Sequence, residues 1–97
     1  MQEHLISTDE FCTHYKVEYS FISSLQQYGL IEITTIGQTP FIDTDKLAEI
    51  EKLVRLHYDL DINLEGIEAI TYLLHRIQNM QDELTILRNR LSLYENL

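Results

Sequence analysis

The chain has 97 residues, 44% of them hydrophobic, a formal net charge of −9 and one cysteine, Cys12. That length suits one small domain, or one domain with an extension. No run of about 18 apolar residues occurs, so no membrane span is expected. One cysteine cannot build an internal disulfide framework. The opening MQEHLISTDE has neither a basic n-region nor an apolar h-region, so no secretory signal is visible and a cytoplasmic location is expected.

The charge is unevenly spread. Residues 1–45 hold seven acids against Lys16 alone, a net of −6. Residues 46–70 hold six acids against Lys46, Lys52 and Arg55, a net of −3, and residues 71–97 balance to zero. Such a field repels a polyanion and attracts a basic protein surface.

The first helix is predicted over 8–15. Ser7 and Glu10 match the S-x-x-E capping box, and Ile6 and Phe11 stand at the staple positions. Phe11, Cys12 and Tyr15 give it an apolar side at helical spacing. The second helix is predicted from Tyr19 to Tyr28, stopped by Gly29 at C′. Phe21, Ile22, Leu25 and Tyr28 form its inward stripe, while Ser20, Ser23, Ser24, Gln26 and Gln27 cover the other face. Residues 19–30 contain no Lys or Arg.

Ile31, Ile33, Thr34, Thr35 and Ile36 favour strand. Gly37-Gln38 is a turn signal and Phe41-Ile42 a returning strand, which together predict a two-stranded wing with Pro40 on an edge. Asp43 is the expected N-cap of a third helix reaching about Tyr58, with Leu47, Ile50, Leu53, Val54 and His57 on its buried stripe. Residues 59–62 read as a break. Asn63 then caps a fourth helix over about 64–95, with Ile62 and Ile67 as its staple. Gly66, in the first turn, costs about 1 kcal/mol relative to Ala. Close packing against the third helix or the wing is the expected reason.

The fourth helix is heptadic. With Ile70 at position a, successive a and d sites carry Ile70, Leu73, Ile77, Met80, Leu84, Leu87, Leu91 and Tyr94. Packing on the chain's own domain is expected up to about Ile77. From there self-association is expected, with Met80, Leu84, Leu87 and Leu91 at a homodimer seam. A parallel pair matches Glu83 with Arg88 and Arg90 with Glu95, whereas an antiparallel pair matches Glu83 with Arg90. The chain therefore divides into a domain over 1–63 and a long helix over 64–97.

The four histidines and Cys12 show no H-x-x-x-H, C-x-x-C or H-E-x-x-H spacing, so no metal is expected. Asp43/Asp45 and Asp59/Asp61 lack a neighbouring nucleophile and sit where carboxylates help capping. The three glycines are far apart, so no phosphate loop exists. No cofactor and no enzyme activity are expected.

The order helix, turn, helix ending in Tyr28-Gly29-Leu30, wing with Gly37 and Phe41, then helix with Leu47, Ile50 and Leu53 resembles the MerR winged-helix superfamily. The resemblance implies a mainly α, winged helix-turn-helix fold with a coiled-coil C-terminal helix. Where that superfamily carries Arg-Tyr-Tyr in its second helix, this chain has Ser23, Ser24 and Leu25, and the wing Arg falls on Thr39. DNA binding is therefore not expected, because phosphate neutralisation supplies much of such affinity. The stretch Arg55–Ile67 and the continuation LLHRIQNMQDEL resemble chaperone-modulator proteins of the CbpM type. That resemblance implies binding to the J-domain of a DnaJ-like, curved-DNA-binding co-chaperone and inhibition of its stimulation of a DnaK-type chaperone. The expected contact residues are Glu18, Tyr58, Asp59 and Asp61.

Overall fold

A computed structural model describes residues 4–96. The described residues form β1 (Leu5–Ser7), α1 (Thr8–Tyr15), α2 (Tyr19–Gln27), β2 (Thr34–Ile36) and β3 (Thr39–Asp43). A 3-10 turn (Thr44–Lys46) then leads to α3 (Leu47–Tyr58) and α4 (Leu64–Glu95). The mainly helical winged architecture is as the sequence predicts. Residue 97, the last of the predicted long-helix segment, lies outside the described residues.

Local capping fixes most boundaries. The Ser7 hydroxyl accepts the Glu10 N–H at 3.1 Å and starts α1. Lys16 ends it in the left-handed region, φ 57°, with its N–H on the Cys12 carbonyl. The α2 stop is a Schellman arrangement: Leu30 N–H reaches the Leu25 carbonyl, Gly29 N–H reaches that of Gln26, and Gly29 sits at φ 75°.

The sheet has three antiparallel strands in the order β1-β3-β2, one more than the two-stranded wing predicted. Its extra strand pairs Leu5 with Asp43, Ile6 with Ile42 and Ser7 with Phe41. Three residues carry too little alternation to be read as strand, and Ser7 is claimed as a helix cap as well. On the other side Thr35 faces Pro40 and Ile36 faces Thr39 across the Gly37-Gln38 turn, where Gly37 takes φ 64°. Pro40 thus lies within the central strand, not on an edge strand. Its missing N–H is tolerated because β1 pairing stops at Phe41, one residue short of it.

The core gathers Phe11, Val17, Phe21, Ile22, Leu25, Ile31, Ile42, Ile50, Leu53, Val54 and Ile67. Each fully buried side chain of this size contributes roughly 1.5–3 kcal/mol. Tyr28, placed on the stripe by its spacing, is only half-buried. The Thr8 hydroxyl is buried and finds no partner among the described residues; nothing in the structure explains it.

The helix α4 has 32 residues and one buried side chain, Ile67. Ile70 and Thr71 are half-buried, whereas Leu73 and Ile77 are 53% and 50% exposed. Within one chain the packed part therefore ends near Thr71, about two turns earlier than the predicted Ile77. The physical reason is the length of α3: 12 residues cannot line a helix of 32.

Gly66 also has a different reason from the one predicted. An added Cβ would lie 2.7 Å from Ile62 Cγ2 and 3.1 Å from Asn63 Oδ1. That Oδ1 is the cap acceptor, 2.8 Å from the Gly66 nitrogen. The crowding comes from the cap itself and not from α3 or the wing. Helix propensity alone makes Gly66→Ala stabilising by about 1 kcal/mol. The crowded cap reverses the sign: urea denaturation is expected to show a loss of about 1 kcal/mol or more.

Candidate functional site

The junction of α2, α3 and α4 brings together residues far apart in sequence. Phe21 and His57 stack with centroids 4.5 Å apart and planes at 16°. Tyr58 stands edge-on to both rings, 5.5 Å from Phe21 and 4.9 Å from His57. Its hydroxyl accepts the Glu18 backbone N–H at 3.1 Å. Tyr58 is 43% exposed, yet three neighbouring groups fix its ring. The His57 Nδ1 lies 2.9 Å from the Ile62 carbonyl. A carbonyl only accepts, so Nδ1 carries the hydrogen and Nε2 of the neutral ring is an acceptor.

Glu18, Ser20, Phe21, Ser24, His57, Tyr58 and Leu64 line a recess of about 240 Å³. The Ser20 hydroxyl is 3.4 Å from Glu18 Oε2. Two of the four sequence-predicted contact residues, Glu18 and Tyr58, therefore meet. Asp59 and Asp61 do not line the recess; both are exposed on the following loop. Asp59 caps α3, and Asp61 adopts a left-handed φ of 57°, which short polar side chains tolerate. The sequence placed Phe21 and His57 only on core stripes and Ser20 and Ser24 on an outer face. Their convergence has no sequence signal, because Phe21 and His57 sit on helices whose approach is set by tertiary packing.

The outer face of α2 shows Ser20, Gln26 and Gln27 to solvent, with Ser23 and Ser24 half-buried. No cation stands on this helix. A helix of this position in a DNA reader would meet phosphates with Lys or Arg.

Two tyrosine–carboxylate pairs brace the same frame. Tyr15 donates a short hydrogen bond to Glu51 of α3, and Tyr28 donates one of 3.0 Å to Glu65 of α4. The hydrogen bond, with burial and the carboxylate charge adding to it, raises each phenol above the usual tyrosine range. Cys12 is likewise pushed up, first by burial and then by Asp9, so its thiol stays protonated and is a poor nucleophile. Among the described residues no three His, Cys, Asp or Glu side chains converge as a metal site. No helix among the described residues is long and apolar enough to cross a membrane.

Met80, Leu84, Leu87 and Leu91 are each at least half exposed on α4. They follow the heptad seam, and none is buried among the described residues.

A family profile described as MerR HTH family regulatory protein matches residues 6–89, from β1 through most of α4. The chain belongs to this family. Within the MerR HTH family it is similar to the chaperone modulatory protein CbpM of Escherichia coli O1:K1 / APEC, 29% identical over 84 residues, covering 86% of this chain and 83% of the relative. The protein of the same name from Escherichia coli O139:H28 (strain E24377A / ETEC) matches with the same identity and coverage. No solved structure matches the chain. The relatives are named as chaperone modulators and the family as regulatory proteins; neither description is of an enzyme.

The raised phenols give a pH dependence with a definite sign. A proton held more tightly in the folded state stabilises it fully below the unfolded tyrosine value near 10 and is lost as pH rises through the folded value. Urea midpoints measured from pH 8 to 12 are expected to fall on the alkaline side. The fall is expected to be shallower in a Tyr15→Phe, Tyr28→Phe variant, and an equal slope in both proteins would remove these pairs as its cause.

Proposed function

We propose that this MerR HTH family protein is a chaperone modulator. It binds the J-domain of a DnaJ-like co-chaperone and inhibits its stimulation of a DnaK-type chaperone. The observation that carries this reading is the charge of the exposed α2 face. Where a DNA reader needs cations, this face offers hydroxyls, amides and the Glu18 carboxylate beside Tyr58. J-domains as a class present a basic helical surface to their chaperone, and a domain of −9 complements it. The names of the relatives support the same role. Occlusion of the J-domain is steric and electrostatic and involves no chemistry. The reading locates the protein in the cytoplasm, where such co-chaperones work.

The docking face comprises Glu18 and Tyr58 at the recess, flanked by Asp59 and Asp61. A calorimetric titration with a J-domain is expected to show binding that weakens as salt rises. Glu18→Gln, Asp59→Asn and Asp61→Asn are each expected to weaken it about two- to fivefold without altering the unfolding midpoint. No heat at low salt would sink this partner. The winged scaffold itself favours the competing reading, a DNA-binding regulator. A gel shift with a steep salt slope on the protein's own upstream DNA would favour that reading instead.

The division into a winged-helix unit over 1–63 and a helix over 64–97 belongs to the same proposal. So does a homodimer through Met80, Leu84, Leu87 and Leu91, whose exposure in the single chain supports it. A Leu87→Asp, Leu91→Asp variant is expected to sediment as a monomer with its globular part still folded. A variant that stays associated overturns the seam.

A further inference from the structure

The recess between Glu18 and Tyr58 has a composition that goes beyond general acidity. Its polar groups can all accept hydrogen bonds. Glu18 supplies a carboxylate, and Ser20 and Ser24 supply hydroxyl oxygens. The His57 Nδ1–H is committed to the Ile62 carbonyl, so in the tautomer without a second ring hydrogen Nε2 is an acceptor. Tyr58 adds an aromatic ring held by the Glu18 N–H and by the edge-on contacts to Phe21 and His57. No Lys or Arg lines the space.

The helix dipoles do not decide the sign of the occupant. The recess lies where the starts of α2 and α4 meet the end of α3. The partial positive charge of the two starts is offset only in part by the partial negative charge of the end, and the remainder is smaller than the full charge of a carboxylate. Glu18 remains as the one carboxylate in the lining.

A lining with one carboxylate, several acceptor atoms and no Lys or Arg suits a cationic guest rich in donors. A guanidinium carries five N–H donors in one plane and no acceptor. Its faces stack on an aromatic ring and its edge pairs with a carboxylate. An ammonium has the charge but no plane to stack. We infer that this recess receives an arginine side chain from the partner protein, its edge on Glu18 and its face on Tyr58. The inference rests on the proposed protein-docking role and names the chemistry that the partner brings to it. It makes Glu18 and Tyr58 specificity-determining contacts, while Asp59 and Asp61 contribute only to the surrounding field.

The test uses the full chain, isotopically labelled, and two small probes: N-acetyl-arginine methylamide and N-acetyl-lysine methylamide. Titration at low salt is expected to give saturable amide shifts at Glu18, Ser20, Ser24 and Tyr58 with the arginine probe. The lysine probe is expected to bind at least about threefold more weakly, as is the arginine probe to Glu18→Gln. The Glu18 side chain makes no cap hydrogen bond, so this variant keeps the fold. Tyr58→Leu, checked for folding by its own spectrum, is expected to abolish the preference for arginine over lysine. Non-saturating shifts, equal affinity for both probes, or undiminished binding to Glu18→Gln would overturn the inference. The two readings fail separately. A J-domain that binds wild type and Glu18→Gln equally, with no arginine saturation, removes the recess and leaves the docking role. Arginine saturation without any J-domain binding keeps the recess and removes that partner.

Discussion

His57 lies face to face with Phe21 and donates its Nδ1–H to the Ile62 carbonyl. Through those two contacts one side chain joins α2, α3 and the loop into α4. The geometry downstream depends on it. Ile62 is held next to Gly66, Asn63 caps α4, and Ile67 enters the core as the buried residue of that helix. Upstream, the same stack orients Tyr58, which in turn reaches the Glu18 N–H at the start of α2. A polar ring in this position is half-buried and keeps its donor satisfied, so it carries no desolvation penalty of the kind an unpaired group would.

Features legible in the sequence were those that a few neighbouring residues decide. Ser7, Gly29 and Asn63 act as caps or stops where the spacing placed them, because a cap is a contact over three or four residues. Asp43 also caps as predicted, though through a 3-10 turn before α3 begins. The apolar stripes of α2 and α3 identified Phe21, Ile22, Leu25, Ile50, Leu53 and Val54 as core. What the sequence hid is long in separation and short in signal. Strand β1 has three residues, paired with residues 34 to 38 positions away. Tyr15 with Glu51 and Tyr28 with Glu65 are likewise 36 and 37 apart. Glu18 and Tyr58 were legible as exposed candidates, but the recess between them was not. Its walls come from residues that the periodicity sorted into core and surface.

The scaffold and its surface chemistry carry different information. The stripes, the Schellman stop and the wing turn specify a MerR-like frame whatever stands on the outer face of α2. That face sets the class of partner. With no cation on α2 and a net −6 over residues 1–45, association with a phosphate backbone loses its counterion-release term and gains repulsion. A basic protein surface gains attraction from the same charges. The contrast is one of sign, so it persists even where each surface charge contributes little by itself.

The exposed length of α4 follows from a mismatch between elements. At 1.5 Å per residue, α3 offers about 18 Å of partner surface and α4 extends about 48 Å. The wing cannot cover the remainder: β2 is exposed along its whole length and its strands are three to five residues long. Beyond Thr71 the a and d side chains are therefore left exposed among the described residues, and a stripe this long and apolar is rare on a monomer. Exposed Tyr72, Ile86 and Leu93 stand at a third heptad position, c, about 130° round the helix from the a/d seam. In the proposed homodimer the a/d seam is buried while these side chains face away from it, so they do not fix its orientation, which the charges at Glu83, Arg88, Arg90 and Glu95 must decide.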